Sequence, residues 1–400
     1  MTVETSRSAS LKRSFIGIAV VSQIGNWLTF LAVIVHAQLA YGAAASTVVF
    51  VAQTVPALIG ARAISDRIPA HWVRSSWIAG QLLLALLTTV LAFTYESFVI
   101  LLGYVALSML LRAALNPLFM TLITDNVAEE QRTATMTGVG AAGSIAVVLS
   151  PALGGMLLTT IGPMYLFLID ALTFGVSAVW MVLAKPRAIA ADGQRGQNPW
   201  WQGLPSLRSL STAPGMSNLR TWSVPVLMTW PAMLLVGALL NALEAPLSFD
   251  ALGFTESEFG LALACFGAGG LVVLAVTVFS DQQLFGPLIA VMAYAVGLTM
   301  WMFIPGVGPL VGFFVAGVAS AVLSGWIRAS LDRWASVSRV DPKDLWGWAT
   351  QTTLFVNLVS YGAAAALFAF GAHPYVLAAI LVLAFVPLFL VVQAAQRGGR

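Results

Sequence analysis

Residues 12–38 read KRSFIGIAVVSQIGNWLTFLAVIVHAQ. Lys12 and Arg13 are followed by 25 residues with no Asp, Glu, Lys or Arg. A helix rises about 1.5 Å per residue, so about 20 mostly apolar residues cross a bilayer core. This stretch is long enough. Gly17 and Gly25 lie inside it, and membrane helices accept glycine more readily than water-soluble ones. No short apolar core with a small-x-small cleavage site appears, so the segment reads as a retained anchor and not as a signal peptide. Gln23 and Asn26 interrupt the apolar run. Their i,i+3 spacing places them on one helix face.

The same reading extends along the chain. Twelve spans are predicted: 14–38, 44–64, 75–95, 98–123, 134–159, 162–184, 223–248, 257–280, 284–304, 307–331, 346–371 and 373–394. Composition supports this. Charged residues are 9% of the chain and hydrophobic ones 59%, with a mean hydropathy of +0.89. A soluble domain carries about 25% charged residues. A soluble core could not hide this apolar surface, so lipid must cover it.

The cations fix the expected orientation. Arg7, Lys12 and Arg13 precede the first span, Arg62, Arg67 and Arg74 surround the second connection, and Arg132 lies in the fourth. Lys185, Arg187, Arg195, Arg208 and Arg220 fill the sixth, Arg333, Arg339 and Lys343 the tenth, and Arg397 and Arg400 the C-terminus. All fall on one side of a twelve-span chain. The opposite connections carry Glu96, Asp250, Glu256 and Glu258 and no Lys or Arg. By the positive-inside rule, both termini are expected in the cytoplasm of a multi-pass inner-membrane protein. The net charge of +3 follows topology, so nucleic acid is not an expected partner.

Residues 185–222 are rich in Gly, Pro, Ser, Asn and Gln and read as a cytoplasmic linker. It separates an N-terminal six-helix bundle, 1–184, from a C-terminal one, 223–400. The halves look like repeats. Ser65-Asp66 and Ser280-Asp281 are 215 residues apart, as are Asn26 and Asn241. Ser108–Leu115, with Arg112, matches Ser324–Leu331, with Arg328, at a shift of 216. The fold class expected is an all-α membrane protein of two bundles related by pseudo-symmetry.

Polar groups inside spans are the best functional clue, because lipid burial is costly without a partner or a role. Arg112 lies mid-span in the fourth helix and either faces a cavity or braces backbone carbonyls. Arg328 lies nearer a helix end and reads as structural. Asn241 and Glu244 repeat the i,i+3 face of Gln23 and Asn26, and the two faces could share one cavity. Glu244 is either a proton-exchanging acid or a solvated one. Asp170 interrupts the sixth span. It is either a coupling acid, paired with Arg112, or a structural group bonded to a neighbouring helix. About 8–10 Å of depth separates it from Arg112 at 1.5 Å per residue, which favours the structural reading. Thr350, Thr353, Asn357 and Ser360 form one stripe that lines a cavity or a helix contact.

Other chemistry is missing from the sequence. There is no GxxxxGK[ST] loop, GxSxG elbow or HExxH pair. The single Cys265 excludes an internal disulfide, and His36, His71 and His373 are scattered. No cofactor and no metal site are expected, and the chain does not read as an enzyme.

Three stretches resemble the major facilitator superfamily, and within it the twelve-helix drug and siderophore exporters of the macrolide-efflux and enterobactin-exporter type. Ser65-Asp66-Arg67 with Arg74 is similar to the G-x-x-x-D-R signature, a cytoplasmic latch in that family. Arg112 matches its buried arginine, often linked to proton coupling. Ser150-Pro151-Ala152-Leu153-Gly154-Gly155 resembles the G-P-x-x-G-G exporter signature. Pro151 removes a backbone donor and bends the helix, while Gly154 and Gly155 allow close helix approach. Arg62 stands where the first signature has Gly, Gln282 and Gln283 replace cations in the second half, and Ser150 replaces a Gly. The resemblance implies a monomeric exporter of a small amphipathic organic molecule, with protons and lipid as its other partners. An importer of the same fold, or a membrane sensor or assembly protein without transport, are the alternatives.

Overall fold

The computed structural model describes residues 2–63, 68–186, 223–280 and 285–398. The described residues form twelve α-helices and no strand. They are α1 (Thr2–Tyr41), α2 (Ala43–Ala63), α3 (Val73–Thr94), α4 (Phe98–Asn126), α5 (Glu129–Ile161) and α6 (Pro163–Ala184), then α7 (Ser223–Pro246), α8 (Glu256–Ser280), α9 (Pro287–Phe303), α10 (Gly308–Ser338), α11 (Pro342–Ala369) and α12 (Pro374–Gly398). Ten are long and apolar enough to cross a membrane, and Ala43–Pro56 and Pro287–Phe303 are shorter apolar helices. One helix stands at each predicted span. Several run past the apolar stretch into charged sequence, as α10 does through Asp332 and Arg333 to Ser338. Hydropathy marks the lipid-facing length, whereas backbone hydrogen bonding continues into water.

The chain divides into two compact units. The first comprises Met1–His36 and Ala52–Leu204, and the second Ala37–Val51 and Pro205–Arg400. The end of α1 and the start of α2 therefore belong to the second unit, a grouping that a cut at the linker alone does not make. Within that unit Gln38 donates to both carboxylate oxygens of Asp250 at 3.0 Å, and Ser46 Oγ donates to Gln38 Oε1 at 2.7 Å. Asp250 sits on a π-helical turn, Leu247–Ala251, that continues α7.

The first unit has a core built on Phe15, Trp77, Phe119, Phe174 and Met181. Phe15 meets Phe119 edge-on at 5.7 Å, and Trp77 stacks on Phe119 at 5.5 Å. Its glycines receive side chains: a Cβ on Gly80 would meet Leu115 Cδ2 at 2.5 Å, and one on Gly154 would meet Leu31 Cδ2 at 2.8 Å. In the second unit Gly269, Gly297, Gly312 and Gly317 receive backbone, and Gly308 receives the Ile304 side chain. A Cβ on Gly297 would lie 2.7 Å from both Ala316 N and Gly312 O, and one on Gly317 would collide with the carbonyl of Phe266. These contacts seat α8 and α9 directly on α10. Leu82, Leu86, Val90 and Phe93 project outward from α3, the exposure a lipid-facing stripe requires.

Candidate functional site

The first unit carries a half-open cavity of about 840 Å³, lined from α1 to α6. Its walls carry the rings of Trp27, Phe30, Trp77, Phe119 and Phe174, with the amides of Gln23, Asn26, Gln53, Gln81 and Asn116 between them. Cavities of this size hold drug-sized molecules. Gln23 and Asn26 do share a face, and that face lines the cavity.

Arg112 also lines it. Its Nη2 lies 3.7 Å from Asp170 Oδ2, and its guanidinium carbon sits 5.4 Å from the centre of the Phe174 ring. The side chain of Arg112 is 24% exposed and that of Asp170 is 0% exposed, so the cation faces the cavity and the acid lies behind it. The two groups thus pair despite the difference in depth expected from their positions along the chain. Helical side chains lean toward the N-terminus of their helix, and Arg112 lies further from the start of α4 than Asp170 from the start of α6. The long side chain leans in the direction that shortens the gap. At 3.7 Å the contact is an ion pair beyond hydrogen-bond length.

Thr173 Oγ1 donates to Asp170 Oδ1 at 3.1 Å. A Cβ on Gly25 would collide with that carboxylate oxygen and with the Thr173 hydroxyl. The missing side chain on α1 is what lets the acid lie there. Tyr104 and Thr88, both buried, share a hydrogen bond of 3.0 Å between α4 and α3. Three buried polar atoms on the lining have no hydrogen-bond partner among the described residues, Asn26 Oδ1, Gln81 Oε1 and Arg112 Nε, while the Thr29 hydroxyl faces the Asp170 carboxylate.

Asn241, Glu244 and Asn357 lie in the second unit. Asn241 Nδ2 donates to the Tyr361 hydroxyl at 3.1 Å, and Tyr361 stacks on Phe50 at 5.0 Å. Glu244 and Asn357 are half-buried. The stripe on α11 is in part a helix contact, because Trp230 Nε1 donates to Ala349 O at 3.1 Å and to Thr353 Oγ1 at 3.3 Å. Arg328 is exposed and stands 5.7 Å over the Trp230 ring.

The exporter-like stretch lies inside one unbroken helix, α5. Ser150, Pro151, Gly154 and Gly155 are all buried there, and Gly154 faces Leu28 and Leu31 of α1. Arg74 Nη2 donates to Val182 O at 3.1 Å, a cation placed on the last turn of α6. Asp66 and Arg67, the other latch residues, lie outside the described residues, as does 187–222 of the linker.

Sequence reasoning missed Gln81, Tyr104 and Thr29. Gln81 carried a signal, since it is the one amide in the apolar run of α3. Tyr104 and Thr29 gave none, because tyrosine and threonine are ordinary in membrane helices.

The family model of the Major Facilitator Superfamily matches residues 15–339. The chain belongs to that superfamily. It is a multi-pass membrane protein and a secondary transporter, not an enzyme. Solved structures share the fold. A bacterial homologue of the iron transporter ferroportin, in its inward-facing state, superposes with a TM-score of 0.68 at 15% identity, covering 96% of this chain and 99% of that one. A bacterial metal transporter gives 0.67 at 14% identity over 95% and 98% of the two chains. A point mutant of the nucleoside transporter NupG gives 0.65 at 14% identity over 96% and 99%. Nothing matches among proteins of curated function.

Proposed function

We propose that this major facilitator protein exports a small amphipathic organic molecule across the cytoplasmic membrane by alternating access, in exchange for protons. The observation that carries the reading is the buried Arg112–Asp170 pair on the wall of a ring-lined cavity. A buried cation and acid are costly to keep and are expected where a solute is handled. Gln23, Asn26 and Arg112 contact the molecule, and Asp170 holds Arg112 in place. Glu244 takes the proton. It is half-buried and makes no hydrogen bond or ion pair among the described residues, so its charge is free to change as access changes. Asn241 and Asn357 support that second polar region. Asp66, Arg67 and Arg74 form the cytoplasmic latch. Pro151, Gly154 and Gly155 form the contact over which α5 moves. The protein acts as a monomer with both termini in the cytoplasm.

Membrane vesicles test the direction. Everted vesicles given an acidic interior should accumulate the uncharged amphipathic dye Nile red in a protein-dependent way. Accumulation in right-side-out vesicles instead would make the protein an importer, and uptake that ignores the pH gradient would remove proton exchange. Reporter fusions at Gly193 and after Arg400 should report cytoplasm, and one at Ser257 the outside. A cytoplasmic signal at Ser257 would break the orientation.

A further inference from the structure

The first-unit cavity has an unusual charge balance. Among the described residues on its wall, Arg112 is the one Asp, Glu, Lys, Arg or His. Asp170 stands directly behind that guanidinium. The pair brings the formal charge at the wall to zero. A charged solute would meet no free counter-charge among the described residues of this wall, and desolvating an unpaired ion against it is expensive.

The remaining polarity has a definite character. Thr29, 3% exposed, turns its hydroxyl to the Asp170 carboxylate, whereas Gln81, 6% exposed, leaves Oε1 without a hydrogen-bond partner among the described residues. Asn26 Oδ1 is in the same condition. All three line the cavity. Buried polar groups are normally hydrogen-bonded. An amide offers a donor and an acceptor side by side, and a hydroxyl offers both on one atom. Trp27, Trp77 and Phe174 supply flat apolar faces beside these groups.

We propose that the solute of this cavity is uncharged, has a flat ring system, and carries an adjacent hydrogen-bond donor and acceptor on one edge, as a lactam does. Gln81 and Asn26 read that edge, and Arg112, already neutralised, contributes only its remaining N–H groups. The inference rests on the reading of this cavity as the solute site.

Four probes of one shape test it by equilibrium dialysis against the purified full chain in lipid nanodiscs. 2-Quinolone is an uncharged lactam, and N-methyl-2-quinolone lacks the donor. Quinoline-2-carboxylate is an anion and N-methylquinolinium a cation. 2-Quinolone should bind tightest, the N-methyl lactam at least about 5-fold weaker and each ion at least about 10-fold weaker, one hydrogen bond or one unpaired charge being worth at least that much. Asp170→Asn leaves Arg112 without its counter-charge, so the carboxylate should gain at least about 10-fold relative to the lactam. Gln81→Leu, which does not touch the ion pair, should erase the preference for 2-quinolone over its N-methyl derivative while both ions stay rejected. Either ion binding wild-type protein as tightly as 2-quinolone overturns this inference and leaves the cavity a solute site. An unchanged lactam preference in Gln81→Leu also overturns it. Failure of all four probes to bind overturns the cavity reading itself.

Discussion

The two units use glycine in opposite ways. In the first, the space left by Gly17, Gly25, Gly80 and Gly154 is filled by the side chains of Trp180, Asp170, Leu115 and Leu31. In the second, the space at Gly269, Gly297, Gly312 and Gly317 is filled by the backbone of a neighbouring helix. Side chains in contact leave adjustable gaps, whereas backbones in contact close them. The first unit carries a cavity of about 840 Å³ lined from α1 to α6, and the second a smaller pocket of about 430 Å³ lined by Leu252, Phe254, Glu258, Phe303 and Tyr375. The matching arginines differ in the same sense. Arg112 is partly buried against an acid, and Arg328, 216 residues on, is exposed over Trp230. Position 386, which would correspond to Asp170 at that shift, is Val386.

The comparison breaks most visibly at the ion pair. Arg112→Leu leaves Asp170 buried without its cation, a change of about 3–5 kcal/mol, and should abolish transport and lower the unfolding temperature in detergent. Arg328→Leu, at an exposed site, should leave that temperature within a few degrees of wild type. Equal losses from both would remove the distinction. Arg112→Lys should also transport poorly, because a point charge does not replace a planar fork facing both Asp170 and Phe174.

Next in size is Gly154→Leu. Even a Cβ there is tight against Leu31 and Leu28, and a whole leucine overpacks the contact of α5 on α1. Cysteine accessibility on the two sides of the membrane should stop alternating in this variant. A pattern that still alternates would deny α5 a moving contact. A smaller and more pointed pair is Gly317→Ala against Gly80→Ala. The first drives a methyl into the Phe266 carbonyl, which cannot rotate away, and should cost about 1–3 kcal/mol. The second meets the Leu115 side chain, which borders the cavity and so has space to shift into, and should cost less than half as much. Thermal unfolding of the two variants in one detergent checks the order, and the reverse order would mean that the packing contrast is misplaced.

The fold was legible because lipid imposes its own arithmetic. About twenty apolar residues per span, cations on one side and a Gly- and Pro-rich interruption leave few arrangements open. The first span could be read residue by residue, down to Gln23 and Asn26 on one face. The cavity was legible only in outline. Arg112 stood out as an ion in an apolar run, but its partner did not follow from depth, since that reckoning ignored the lean of side chains along a helix. Nor could the sequence show that Gly25 makes room for Asp170, because a glycine in a membrane helix has many uses. The binding of Gln38 to Asp250 was equally hidden, since Asp250 reads as an ordinary loop acid until the π-helical turn after α7 is seen.

The central claim is that solute binding belongs to Arg112 and Asp170 in the first unit and proton exchange to Glu244 in the second. Proton movement recorded together with Nile red flux in the same vesicles tests it most directly, with wild type and Glu244→Gln compared at matched protein levels. The account predicts that Glu244→Gln still exchanges dye for dye across the membrane while dye flux no longer moves protons. Protons moving with dye at the wild-type ratio in Glu244→Gln would contradict it.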